Sequence, residues 1–398
     1  MERHLHYRIL LLFVVGLYAC VDTYDAHLQL NSNLMVMNGI ITDLAEPQTI
    51  TISRSRPNAD SSATTPVTKA SVNLIVNGTT TIPLSETQSG TYQLPGDFKG
   101  QIGNTYQLRF QTSDGITYES SVETMVAVPP ISRAYDQLST KSATLAVDIG
   151  DTTVPASEVY IDYQDPPGQA NFYLWRWREY EPQDWCASCL HGRYVVQDVG
   201  PVGNGEIKVL GCVNDTAMRS YSLYDYVCRT QCWDILYSTS INVFSDVYTN
   251  GKPQFGHKIA FLPIYQRNPA LIVIEQLSLS ANAYRYYKLF AEQTQNTGTL
   301  ADSPPAPISG NIKNLANPQE NVVGYFSAAS VATYRHKITR DNLPFNKFIG
   351  LFRGLSHRRP RPESKDERIN RGGIFGYTVP SAICIPSRTR TDIPPEGL

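Results

Sequence analysis

VNLIVNG, residues 72–78, decides the fold class. A short apolar run ends at Asn77-Gly78, a dipeptide that accommodates the positive φ angles of a tight hairpin turn. Upstream, TITIS (49–53) alternates Thr or Ser with Ile, the two-residue period of a half-buried strand. Leu34-Met35-Val36-Met37, then Ile40-Ile41-Thr42, precede it across Gly39. Downstream, Tyr92-Gln93-Leu94 and YQLRF (106–110) repeat the pattern, and Asp114-Gly115 marks a further turn before Ile116-Thr117-Tyr118. About seven short strands over residues 34–130 is the count of an immunoglobulin-like β-sandwich. Pro129-Pro130 closes the unit, because neither residue can donate to a sheet ladder.

The next part, residues 131–345, reads as a larger β-rich domain with one packed helix. Residues 144–149 and 159–163 are strand-like, and FYLWRWREY (172–180) is the most aromatic stretch of the chain. As a strand it places Tyr173, Trp175 and Trp177 on one face, and Phe172 and Leu174 with Arg176 and Arg178 on the other. Trp175, Arg176 and Trp177 are candidates for a ligand platform, since aromatic rings beside Arg stack on sugars and rings. The plainer reading, a core strand edged by Arg, is preferred. Near 280–296, Ser280 can cap a helix whose Ala283, Tyr284, Tyr287, Phe290 and Ala291 fall on one face.

Composition bounds the function. The chain has 398 residues, a net charge of −2, 24 tyrosines and only 18% charged residues, which favours strands over exposed helices. Near-neutrality argues against a nucleic-acid partner. Motifs for phosphate binding, zinc proteases, nucleophile-elbow hydrolases and dinucleotides are missing from the sequence. No residue is assigned a catalytic role, no cofactor or metal is expected, and the chain reads as non-enzymatic.

The other landmark is Leu17-Tyr18-Ala19-Cys20. Arg3 and Arg8 precede a short apolar run, 9–17, which is the charged and apolar part of an export signal and too short to span a bilayer. A small residue followed by Cys resembles the bacterial lipoprotein processing site. That resemblance implies cleavage before Cys20 and acylation (palmitate and related chains) of its thiol, so residues 1–19 are signal peptide and 20–33 a tether. Two or more acyl chains anchor stably where one does not. Asp22 and Asp25 are a thin version of a cell-surface export signal and equally fit a plain solvated linker.

Beyond Cys20 the cysteines are Cys186, Cys189, Cys212, Cys228, Cys232 and Cys384. An even number in an exported chain favours disulfides over a zinc or redox site, although the connectivity stays open. Five of them lie within 186–232, a cysteine subdomain to which Cys384 is expected to staple the tail. The tail, 346–398, is basic and Pro-rich. Its segment 353–371 holds seven basic against three acidic residues and reads as a solvated loop, with acidic partners or lipid headgroups as the sharper alternative.

Several stretches together resemble a family of Bacteroidota outer-membrane lipoproteins, domain of unknown function four-two-four-nine. They are LMVMNGIITD (34–43), ITISRS (50–55), GTYQLP (90–95), the Pro pair at 129–130, CWDI (232–235), INVFSD (241–246) and LSLSANAYRYYKLF (277–290). The longest is GTLADSPPAPISGNIKNLANPQENVVGYFSAA (298–329). The tail departs from the family pattern, where only Cys384 and the prolines match. The resemblance implies an outer-membrane lipid anchor through Cys20, a cell-surface location, and an accessory or ligand-capture role beside a TonB-dependent receptor. The rival expectation is a structural or adhesive module that binds other envelope components.

Overall fold

The computed structural model describes residues 33–56, 64–147, 150–189, 192–198, 207–214, 225–295, 308–360, 367–371 and 377–398. Residues 17–20, the tether to residue 32, and His191 lie outside them. The chain is mainly β, and among the described residues one helix, Ala281–Gln295, exceeds a single turn.

The hairpin expected at Asn77-Gly78 forms. Strands Ser71–Val76 and Thr80–Gln88 pair antiparallel, and Asn77 and Gly78 between them have φ of 52° and 69°. In Thr49–Ser55 the isoleucines at 50 and 52 are buried while Thr49 and Thr51 face out. Successive hairpins join these strands into one twelve-stranded sheet that also takes in Met35–Thr42 and Thr105–Gln111. Met35, Met37 and Ile52, from one end of the strand order, share a single core cluster with Leu74, Leu108, Phe110 and Tyr118 from the other. The sheet therefore folds over onto itself around one apolar interior.

Three strands of this sheet come from much later in the chain. Ile312–Asn314 pairs with Thr117–Ser120, while Val322–Val323 and Phe326–Ala329 run parallel to Met35–Thr42. Gly324 (φ 109°) makes the parallel contact possible, because a Cβ there would lie 1.6 Å from the Met37 carbonyl oxygen. The first unit is thus not closed by residues 34–130 alone; the stretch 312–329 returns to complete it.

In the second unit a six-stranded sheet carries the order Val331–Ile338, Ala270–Ser278, Phe172–Pro182, Trp233–Tyr237, Arg390–Thr391, with Asn242–Ser245 also paired to Phe172–Pro182. All nine residues of Ala270–Ser278 are buried, as the apolar run LIVI (271–274) requires of a central strand. A three-stranded sheet of Ile131–Leu138, Ala156–Gln164 and Pro253–Pro263 supplies Val159, Ile161, Ile259 and Leu262 to the same core as Trp175, Ile272 and Ile274.

The helix lies where the two units meet. Ser280 Oγ accepts from the Ala283 N–H at 3.1 Å, the expected cap, and donates to Glu123 Oε2 at 2.6 Å. Glu123, only 3% exposed, also accepts from Tyr325 Oη at 2.8 Å. Ile40 of the first unit packs in one cluster with Leu279, Tyr286, Tyr287 and Tyr325. The hydroxyls of Ser278 and Ser330 both donate to the Val126 carbonyl at 2.7 Å. Pro129-Pro130 therefore marks a packed joint rather than a free linker.

The basic tail differs from its sequence reading where it is described. Leu351, Phe352 and Leu355 are buried, and Leu351 and Leu355 join a cluster with Leu236 and Tyr265. Arg358 Nη1 donates to the Ile235 carbonyl at 2.9 Å and Arg359 Nε to that of Phe352 at 3.0 Å. The apolar residues on either side of Arg353 dock residues 351–359 against the second sheet, so this part is not a solvated loop. Residues 361–366 lie outside the described set.

Candidate functional site

The aromatic strand does not form the ligand platform. Tyr173 and Trp175 face inward and are each 1% exposed. The Trp175 ring packs 5.8 Å from those of Tyr163 and Tyr173, and its Nε1 donates to Gln276 Oε1 at 2.9 Å. Trp177 is half-buried against the same core, while Arg176 and Arg178 sit on the opposite face and share the carboxylate of Glu275. The alternation that puts Trp175 on the core face removes it from solvent, so the set Trp175, Arg176, Trp177 presents no common surface. The period continues beyond the aromatics: Glu179 and Glu181 point the same way as Trp175, and both are fully buried.

Arg340 neutralises that end of the face. It is 3% exposed and reaches Glu181 Oε1 at 2.6 Å, Glu179 Oε1 at 3.4 Å and the Asn268 carbonyl at 3.1 Å. Burial, then the neighbouring Glu181, raises the Glu179 carboxyl well above the usual range. Two carboxylates on one strand evoke acid–base chemistry, but these are committed to Arg340 and Gln266. The sequence carried a signal for them, two acids at alternate positions of REYEP (178–182) in register with inward aromatics.

A second constellation also resembles catalytic machinery. His336 Nε2 lies 2.7 Å from Asp136 Oδ1, and Ser157 Oγ is 3.4 Å from Asp136 Oδ2. Here Asp stands between Ser and His, whereas a nucleophilic serine needs the imidazole beside it to take its proton. Ser157 Oγ instead donates to the Gln137 carbonyl at 3.2 Å.

The six cysteines pair as Cys186–Cys228, Cys189–Cys212 and Cys232–Cys384. The last joins the tail to the cysteine subdomain, as expected. The sulfurs of Cys186, Cys232 and Cys384 lie within 4.8 Å of one another, a spacing that would suit a metal ion. Each is bonded in a disulfide and so offers no thiolate ligand. Asp234 and Arg390 seal this cluster to the main sheet, with Arg390 Nη1 donating to the Cys186 carbonyl at 2.9 Å.

The exposed surface with the strongest binding character is a feature that sequence reasoning passed over. Val247, Tyr248 and Phe255 are 64%, 89% and 77% exposed, on and just after the turn at Asn250-Gly251. The turn is held by the loop 165–171. Gly168 N–H donates to Asn250 Oδ1 at 3.0 Å, Asn250 Nδ2 to the Gln169 carbonyl at 3.1 Å, and Gly251 N–H to Asp165 Oδ2 at 2.9 Å. The Asp246 N–H donates to the Asn171 carbonyl at 3.1 Å. Val247 and Tyr248 therefore stand in water on a hydrogen-bonded double loop, and Phe255 does so at the start of the strand that leaves it, an arrangement characteristic of contact surfaces. A shallow cleft of about 430 Å³ lies between Asn242–Ser245, Pro253–Pro263 and the helix, lined in part by Lys258, Phe261 and Lys288.

Among the described residues no helix is long and apolar enough to cross a membrane. The model of a family described as domain of unknown function (DUF4249) matches residues 21–335. Neither the curated proteins nor the solved structures include a significant match to the chain.

Proposed function

This chain belongs to the DUF4249 family, and on that premise we propose that it is a surface lipoprotein, anchored in the outer membrane by acylated Cys20, that serves as an accessory, ligand-capture subunit of a TonB-dependent receptor. The observation that carries the reading is the junction at residue 20. The family match begins at Val21, immediately after the Leu17-Tyr18-Ala19-Cys20 stretch, so the family domain and the lipoprotein processing site abut. A body tethered in this way stays at high effective concentration beside a membrane partner without needing a large interface. The double-loop tip of Val247 and Tyr248, with Phe255 just beyond it, is the contact surface assigned to that partner or its ligand. The role is non-catalytic in this reading.

Metabolic labelling with a palmitate analogue tests the anchor. The wild-type chain is expected to label and to sediment with membranes, and Cys20→Ser to do neither. Protease shaving of intact cells tests the face: loss of the protein supports the surface, and full protection moves it to the periplasm. The adhesive or structural alternative keeps the anchor and differs only in lacking a receptor partner.

A further inference from the structure

The loops beneath the Tyr248 tip enclose two acids whose charge nothing nearby balances. Asp165 and Asp246 are both 0% exposed. Among the described residues neither forms an ion pair, while Glu179, Glu181, Asp234 and Glu275 each meet an arginine and Glu123 is held by three hydroxyl donors. Neighbouring carboxylates buried without a counter-charge are unfavourable, so something must neutralise them.

The oxygens around the pair are only partly satisfied. Asp165 Oδ1 accepts from Tyr173 Oη at 2.6 Å and Oδ2 from the Gly251 N–H. Asp246 Oδ2 accepts from Asn171 Nδ2 at 3.1 Å. Asp246 Oδ1 has no N–H or O–H donor, and the hydroxyl of Tyr163 has no partner; burial, together with the contact between the two carboxyls, raises Asp165 above the usual carboxylate range. Tyr163 is 2% exposed, lies edge-on to Tyr173 with ring centroids 5.5 Å apart, and feels the charge of both Asp165 and Asp246. An orphaned carboxylate oxygen and an orphaned buried hydroxyl within range of its charge thus accompany the same two acids.

We propose that Asp165, Asp246 and Tyr163 bind one hard divalent cation of the calcium type between the loops 165–171 and 246–252. A single shared proton would cancel one of the two charges and leave the Tyr163 hydroxyl unpaired. A divalent cation cancels both and takes the free lone pairs of Asp246 Oδ1 and Tyr163 Oη. The donors are all oxygen, which selects calcium over the softer metals that prefer imidazole or thiolate. Calcium takes about six to eight oxygens, the balance coming from loop carbonyls and water. The ion would lock the turn that presents Tyr248, whichever partner that tip serves, so the site does not depend on the receptor reading.

The test uses the full-length protein purified in mild detergent, stripped with EDTA and titrated with calcium chloride. Elemental analysis is expected to give one calcium per chain, and saturating calcium to raise Tm by about 5 °C over the stripped form. Tyr163→Phe removes one hydroxyl from a buried ring and should weaken binding by about tenfold with the fold intact. Asp246→Asn should abolish it; if that variant fails to fold, the Tyr163→Phe titration and the wild-type comparison still decide. No calcium retained at millimolar concentration, together with a Tm indifferent to EDTA, would overturn the site and leave the acids to a shared proton.

Discussion

Trp175 Nε1 donates to Gln276 Oε1 at 2.9 Å in the middle of the second core, and the Gln276 amide donates in turn to the Pro129 carbonyl at 2.9 Å. One buried side chain thus ties the central aromatic strand to the joint between the two units. Gln276→Leu fills nearly the same volume but leaves both the indole N–H and the Pro129 carbonyl without partners. Each buried orphan costs about 1–3 kcal/mol, so a loss of about 2–6 kcal/mol is expected in urea unfolding. A change below 0.5 kcal/mol would show that the joint does not depend on this contact.

Arg340 is the single cation among the described residues that faces Glu179 and Glu181 inside the sheet. Arg340→Met is expected to destabilise by about 3–5 kcal/mol, because it strands buried acids. Adding Glu181→Leu and Glu179→Leu to it should recover most of that loss, since an apolar replacement of the whole set removes the stranded charges. Calorimetric Tm values for the single and triple variants check this, and a triple variant no better than the single one would contradict it.

The disulfides differ in what they constrain. Cys232–Cys384 closes a separation of 152 residues, Cys189–Cys212 one of only 23. Loop-closure entropy assigns about 5 kcal/mol to the first and about 3 kcal/mol to the second. Paired Cys→Ser variants unfolded in urea without reductant should therefore rank with Cys232/Cys384 as the costlier loss. The opposite order would mean that the tail is held by packing around Arg390 and Leu351 instead.

His257 sets a pH limit on stability. Its ring lies 4.2 Å from that of Trp175 and 5.6 Å from that of Phe244, and burial pushes its pKa down to about 4. The unfolded chain, with a value near 6.5, binds that proton more readily than the folded one. Stability from this group is therefore complete above pH ~6.5, falls as pH drops toward 4, and levels off below it, a total loss of about 3 kcal/mol. His257→Phe should remove the component specific to this window. Identical wild-type and variant pH profiles between 4 and 6.5 would refute the assignment.

Local chemistry made much of this fold legible, and long-range pairing made the rest illegible. Asn77-Gly78 announced a hairpin because its two positive φ angles are a property of those residues alone, and Ser280 announced a helix start for the same reason. The return of residues 312–329 to the first sheet left no such trace, since strands of two to four residues carry almost no period. Glu123 at the helix cap, Arg340 against Glu181 and the pairing of Cys232 with Cys384 join positions 150 or more residues apart, which no spacing rule reaches. Trp175 could be placed on a face from sequence, but only the second sheet decides whether that face is dry. Tyr248 went unread because an exposed aromatic in a turn looks like any loop residue until the hydrogen bonds that hold it are seen.

The proposed role is that of a lipid-anchored subunit beside a TonB-dependent receptor. Its most direct test is affinity purification of the tagged full-length protein from membranes in mild detergent, with the bound material identified by mass spectrometry. A single outer-membrane receptor barrel in near-equal amount is the predicted result, reduced at least tenfold when Tyr248→Asp and Phe255→Asp are combined in a protein that still labels at Cys20. Recovery of the tagged protein alone under the same conditions would contradict the receptor role.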